Sequence, residues 1–304
     1  MTAAIKKTMG LAEWSMLAML GIIWGGSFYF FVIAIGGLPT FTIVFLRVSI
    51  ATLALWIAVG LSGLKPPSNL AAWRDFLIMG LLNNAVPFSL IVWGQHALAA
   101  GLAAIINATT PFFTVLVANA FTTDEKLSWN RLLGSLVGLA GVAIMMGIDA
   151  LGGPGGALPS ELAIIAASLS YALGTVFGRR FRHSPIITAA GQTTGSSLIL
   201  LPLVLVIDAP WRLAFPNFSV VLAILGLALL CTAFAYVLYF AILKRAGATN
   251  LVLVTFLVPV SAILLGVALL GEHLALQHML GLVAIALGLA LIDGRLVSFA
   301  SRAL

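Results

Sequence analysis

A chain of 304 residues with 62% hydrophobic and 8% charged side chains, at a mean hydropathy of +1.17, cannot cover a water-exposed surface. Charged residues make up about a quarter of an ordinary soluble domain, so a cytosolic enzyme, a secreted disulfide scaffold and a disordered regulator are excluded and a polytopic all-α membrane protein is left. The net charge of +6 and pI of 9.9 fit basic cytoplasmic loops better than nucleic-acid binding, and the lone Cys231 allows no intramolecular disulfide.

A helix crosses the hydrocarbon in about 20 residues, and Asp, Glu, Lys and Arg divide the chain into runs of that order. The first span is expected at 11–34. It follows Lys6 and Lys7, but its apolar run exceeds the roughly 7–15 residues of a signal peptide, so it reads as a retained span. The turn Gly36-Gly37-Leu38-Pro39 separates it from a second span, 40–62. The uncharged run 76–123 is too long for one crossing and divides at Gly94-Gln95-His96 into 73–94 and 98–121. The others are expected at 129–148, 160–180, 185–207, 217–243, 249–270 and 276–296, giving ten.

Basic residues orient these spans. Lys6, Lys7, Lys65, Arg74, Lys126, Arg131, Arg179, Arg180, Arg182, Lys244, Arg245, Arg295 and Arg302 fall on one side, and only Arg212 on the other. Cytoplasmic loops hold the excess of Lys and Arg, so both termini are expected in the cytoplasm.

The chain also repeats. Pro111, Glu125-Lys126-Leu127, Gly134 and Gly141 are matched by Pro259, Glu272-His273-Leu274, Gly281 and Gly288, with both glycines 9 and 16 residues after the glutamate in each copy. Trp24 matches Tyr171 at an offset of 147, and Glu13 matches Glu161 at 148. The expected organisation is one five-helix unit over 1–150, a Gly/Pro-rich linker over 151–158 and a second unit over 159–304. Five is odd, so the second unit enters the membrane from the opposite face, the inverted-topology repeat of many secondary transporters.

The pattern Pro…Glu-x-Leu…Gly…Gly, repeated across ten spans, resembles the drug/metabolite transporter superfamily, and within it the EamA-type ten-helix exporters, and is similar to the YddG-type amino-acid exporters of bacterial inner membranes. The resemblance implies metabolite export by alternating access through a central cavity. It implies that spans 1, 3, 4, 6, 8 and 9 line the cavity and that spans 5 and 10 pack outside it. It implies a small-molecule substrate, no cofactor and no metal, and a chain that functions as a monomer in the bilayer.

Polar residues within the spans are the candidates for substrate binding. Helical spacing gathers Asn84, Phe88 and Gln95 in span 3; Ala103, Asn107, Thr110 and Thr114 in span 4; Ser168, Tyr171 and Thr175 in span 6; and Thr232, Tyr236 and Tyr239 in span 8. Trp24 and Ser27 join them from span 1. A helix-interior proline frees the carbonyl four residues earlier: Pro87 that of Asn83, Pro111 that of Asn107 and Pro259 that of Thr255. These prolines are the candidate kinks. Aromatic, amide and hydroxyl groups without a fixed acid suit a small zwitterionic or neutral solute, its ammonium held partly by cation–π attraction. Glycines four apart (Gly21 and Gly25, Gly134 and Gly138, Gly191 and Gly195) read as close helix packing.

Arg47 lies eight residues past Pro39, about 12 Å along its helix. A charge at depth is a functional hypothesis by default, but arginine snorkels and span 2 is no cavity wall in the family, so a structural role is expected. No acid or histidine sits at depth as a proton relay, which predicts transport down the solute gradient. Glu125 and Glu272 are expected to cap or bridge at the starts of spans 5 and 10. Nucleotide-sugar or phosphate-ester exchange needs several cationic clamps. An intramembrane enzyme needs a nucleophile–base pair, and Ser196 and Ser197 have no histidine at depth.

Overall fold

A computed structural model describes residues 10–121, 129–146, 157–251 and 254–293, and among the described residues every regular element is a helix. α1 is Leu11–Ile35, α2 Thr40–Leu61, α3 Leu70–Gly94, α4 Ala100–Phe121 and α5 Trp129–Met146. α6 is Leu158–Gly178 and α7 Pro185–Asp208. α8 runs through Phe218–Leu225, Gly226–Phe234 and Ala235–Leu251; α9 is Val254–Leu270 and α10 Leu276–Asp293. Seven of these are long and apolar enough to cross a membrane: α1 to α4, α6, α7 and α8 over Phe218–Tyr239. The other apolar stretches, Leu132–Gly141, Leu257–Leu270 and Leu276–Gly288, are shorter. The division expected near residue 245 shifts. Neither Lys244 nor Arg245 breaks the helix, and α8 continues to Leu251.

Apolar side chains face both ways. Leu17, Leu20, Ile105, Phe112 and Ile164 are buried, while Leu53, Ile57, Leu264 and Val283 stand exposed on the outer surface. An outside this apolar is suited to lipid and not to water.

Helix ends are satisfied locally and at long range. Asn69 Oδ1 accepts the Ala72 amide at 2.7 Å, and Asn217 Oδ1 that of Val220 at 3.0 Å, as N-caps. Asp208 Oδ2, at the end of α7, accepts the Thr42 amide at 2.6 Å and its hydroxyl at 2.7 Å. Glu272 accepts the amides of Ala100 at 2.6 Å and Gly101 at 3.1 Å, so it caps α4 and not the helix that follows it. The α4 N-terminus lies beside the α9–α10 turn, and its unpaired amides attract the carboxylate. Glu125 and the linker over 151–156 lie outside the described residues.

Close backbone approach fixes the pairing of helices. A Cβ on Gly141 would fall 2.9 Å from the carbonyl oxygen of Gly281, and one on Gly288 would fall 2.6 Å from that of Gly134. These are the four glycines of the repeat. Exchanging the copies turns one contact into the other. The most extensive of the other helix contacts follow the same exchange. α1 packs on α9 as α6 does on α4, α1 on α8 as α6 does on α3, and α2 packs on α7. Gly21 and Gly25 seat α1 on α9, where Ser261 Oγ donates to the Gly21 carbonyl at 2.8 Å.

Among the described residues, three helices carry π-helical turns: α3 at Leu81–Ala85 and α8 at Gly226–Phe234, both within the helix, and α7 at its C-terminal end over Val204–Asp208. The two internal ones correspond. The 147-residue offset maps the first onto 228–232, inside the second. Each leaves a carbonyl for a side chain: Ser170 Oγ donates to Leu82 O at 2.7 Å, and Thr232 Oγ1 to Leu227 O at 2.8 Å.

Candidate functional site: a cavity between the two halves

A cavity of about 530 Å³ is lined by residues from both halves of the chain. At one end Phe28, Phe31, Phe88, Ile91 and Arg47 are all buried. At the other, Thr175 and Arg179 line it and are exposed, beside Phe181 of the α6–α7 connection and Thr188 in the first turn of α7. The cavity is closed at the first end and accessible at the second.

Of the candidate side chains, Trp24, Ser27, Asn83, Phe88, Asn107, Thr110, Tyr171, Thr175, Thr232, Tyr236, Tyr239 and Thr255 line it, and Ala103, Thr114 and Ser168 do not. Asn84 and Gln95 stand behind the wall. Asn84 is fully buried; its Nδ2 donates to Ser196 Oγ at 2.9 Å, and its Oδ1 accepts the Tyr236 hydroxyl at 3.1 Å. Gln95 Nε2 donates to the Phe28 carbonyl at 2.9 Å, closing the inner end. Both amides hold wall residues in place. Asn83 donates to Gln192 Oε1 at 3.3 Å within the cavity.

Among the candidate kinks, Pro111 and Pro259 line the cavity and Pro87 does not. Pro87 stands two residues past the π-turn of α3. α4 breaks its regular helix at Ala108–Thr109, just before Pro111. The Asn107 carbonyl that Pro111 releases accepts Thr110 Oγ1 at 2.8 Å and Ser168 Oγ at 3.4 Å. Pro259 sits inside an unbroken α9.

The walls are aromatic. Trp24 and Tyr239 pack with centroids 5.9 Å apart, and Phe88 meets Tyr171 edge-on at 6.4 Å. Among the described residues the charged ones in the lining are Arg47 and Arg179, and none is Asp, Glu, Lys or His.

The lining departs from the expected set of helices. The described residues of α5 and α10 stay outside it, but α2 contributes Arg47 and α7 contributes Thr188 and Gln192. Arg47 does not snorkel. It is 4% exposed, its guanidinium carbon lies 3.8 Å from the Phe88 ring centroid and 5.1 Å from that of Phe31, and its Nε donates to Thr232 Oγ1 at 2.9 Å. The signal for it was a single charge in an otherwise apolar span. The signal for Thr188 and Gln192 was their four-residue spacing on one helix face.

Comparison with known proteins places this geometry. YoaV of Bacillus subtilis (strain 168), an "uncharacterized transporter", is 25% identical over 278 residues, covering 89% of this chain and 94% of that one. YedA of Escherichia coli (strain K12), an "uncharacterized inner membrane transporter", is 28% identical over 91% of this chain and 89% of its own. A "probable amino-acid metabolite efflux pump" of Salmonella typhimurium is 28% identical over 77% of this chain and 87% of its own. A solved crystal structure shares the fold, with a TM-score of 0.66 at 20% identity over 92% of this chain and 96% of that chain. The sequence model of the EamA-like transporter family matches twice, over residues 13–147 and 158–293. Matched in both halves, the chain belongs to the EamA-like transporter family and is a multi-pass membrane transporter.

Proposed function

We propose that this transporter exports small metabolites, amino acids foremost, across the bacterial inner membrane, by alternating access and down the solute gradient. In this reading the ten helices make ten crossings as two inverted five-helix units, both termini are cytoplasmic, and one chain suffices. The observation that carries it is the lining of the cavity: aromatic faces, amides and hydroxyls around a buried cation, with no carboxylate among the described residues. Such a lining suits an amphiphilic solute whose own acid supplies the negative charge. The efflux-pump relatives support the solute class, and the inner-membrane relative supports the location. The basic α6–α7 connection, with Arg179, Arg180 and Arg182, borders the accessible end, so the cavity faces the cytoplasm in the form described. The exchange of helix contacts between the halves supports the inverted repeat.

A proton antiporter keeps a titratable carboxylate or histidine at depth, and among the described residues the lining has neither. Phosphate-ester exchange gains one buried cation in Arg47, but a polyphosphate is gripped by several. The test is counterflow in liposomes of purified protein, with labelled amino acids, purines, drugs and a phosphate ester. Amino-acid exchange is expected. Exchange confined to another class overturns the solute assignment, and uphill accumulation under a pH gradient alone overturns the downhill mechanism.

A further inference from the structure

We propose that Arg47 is the carboxylate anchor of the cavity: its guanidinium edge binds the acid group of the solute and selects for it. The inference rests on the cavity being the transport site, and it adds the group that decides which solutes enter.

Arg47 is a cation 4% exposed in the middle of an apolar helix, and among the described residues no carboxylate reaches it. Intramembrane charges are paired or face a wet cavity, and this one lines the cavity at its closed end. A guanidinium has five N–H donors and no acceptor. Nε is taken by Thr232 at 2.9 Å, and one Nη2 donor leans toward the Cys231 carbonyl at 3.5 Å. The remaining donors have no protein acceptor among the described residues. The rings of Phe88 and Phe31 lie 3.8 and 5.1 Å from the guanidinium carbon and flank the group. They leave its edge as the free approach. An edge presenting parallel donors matches a carboxylate in two-point contact.

The site is pre-set by irregular backbone. The π-turn of α8 offers the Leu227 carbonyl to Thr232 Oγ1 at 2.8 Å, which turns a lone pair of that hydroxyl toward Arg47 Nε. A second observation completes the recognition of a zwitterion. Asn107, on the cavity wall, has a buried Oδ1 with no partner among the described residues, an acceptor left for an ammonium. A bare brace between α2 and α8 would explain the Thr232 bond alone. It would not explain unused cationic donors at the end of a solute-sized cavity.

The test is calorimetric binding to the full-length purified protein, with phenylalanine and leucine, their carboxamides, and inorganic phosphate as probes. The wild type is expected to bind each free acid at least about tenfold more tightly than its amide, the scale of an interaction with a desolvated charge. Arg47→Gln is expected to bring acid and amide within about twofold of each other while the protein stays monodisperse. Arg47→Lys keeps the charge without the fork and is expected to retain part of the discrimination. Equal binding of acid and amide by the wild type, binding of no acid, tighter binding of phosphate, or full discrimination in Arg47→Gln overturns the proposal. If Arg47→Gln fails to fold, the acid-to-amide ratio of the wild type decides alone. The two readings fail separately. Wild-type protein that binds the acids but moves none of them in liposomes loses the export reading and keeps the anchor. Protein that moves acids and amides alike keeps transport and loses the anchor.

Discussion

Tyr236 and Glu272 show how far a single polar side chain reaches. The Tyr236 hydroxyl both lines the cavity and satisfies Asn84 Oδ1, which no solvent reaches. Tyr236→Phe is therefore expected to lower flux several-fold and stability by about 0.6 kcal/mol, the usual worth of an intramembrane hydrogen bond. Counterflow and a thermal melt of the same preparation check both, and unchanged flux would make the contact a packing seam. Glu272 joins the start of α4 to the α9–α10 turn through two backbone amides. Glu272→Ala is expected to remove about 1 kcal/mol, the range of a lost helix cap, read as a lower melting temperature with substrate affinity retained. At this scale the sequence was a good guide to which residue types matter and a poor one to what they touch. Asn84 and Gln95 share polar character with Asn83 and Asn107, but a π-turn and a helix end rotate them behind the wall. Arg47 was visible as an anomaly. Its direction was not, because α2 packs on α7 and the π-turn of α8, and those contacts place Arg47 beside Thr232.

Irregular turns and close-packed glycines divide the labour between helices. α3 and α8 carry π-turns at equivalent places and α4 breaks before Pro111, and all three helices line the cavity. α5 and α10 meet through backbone contacts, and none of their described residues is in the lining. Gly288→Val forces a side chain against the Gly134 carbonyl and is expected to destabilise the protein by about 1–3 kcal/mol, the range for overpacking. Its effect on solute binding is expected to be small. A melt combined with calorimetry checks the separation, and a Gly288→Val protein of normal stability with lost binding would contradict it. The glycine spacing and the proline positions announced this division. The π-turns could not be read, since nothing in Leu81–Ala85 or Gly226–Phe234 departs from an ordinary apolar helix except the polar pair Asn83-Asn84 and the lone Thr232.

Across the molecule, one rule of exchange relates the most extensive helix contacts, from the α5–α10 glycines to the α1–α9 and α6–α4 pairs. Charge punctuation located most helix ends to within a few residues because a bilayer-length apolar run is a strong signal. It failed at the α8–α9 boundary, where charged residues stay helical. A cavity with no acid among its described lining residues predicts that flux follows the solute gradient and is unchanged when a pH gradient is collapsed, which counterflow with an ionophore reads. The central claim is that the two units cross the membrane in opposite senses. The turn at Gly36, after α1, corresponds by the repeat to the turn near His183, after α6. Single cysteines Gly36→Cys and Arg182→Cys, each in a Cys231→Ser background, probe the two turns with a membrane-impermeant maleimide on intact cells and on inverted vesicles. Labelling of Gly36→Cys from the outside only and of Arg182→Cys from the inside only is predicted; labelling of both from the same side would contradict the account.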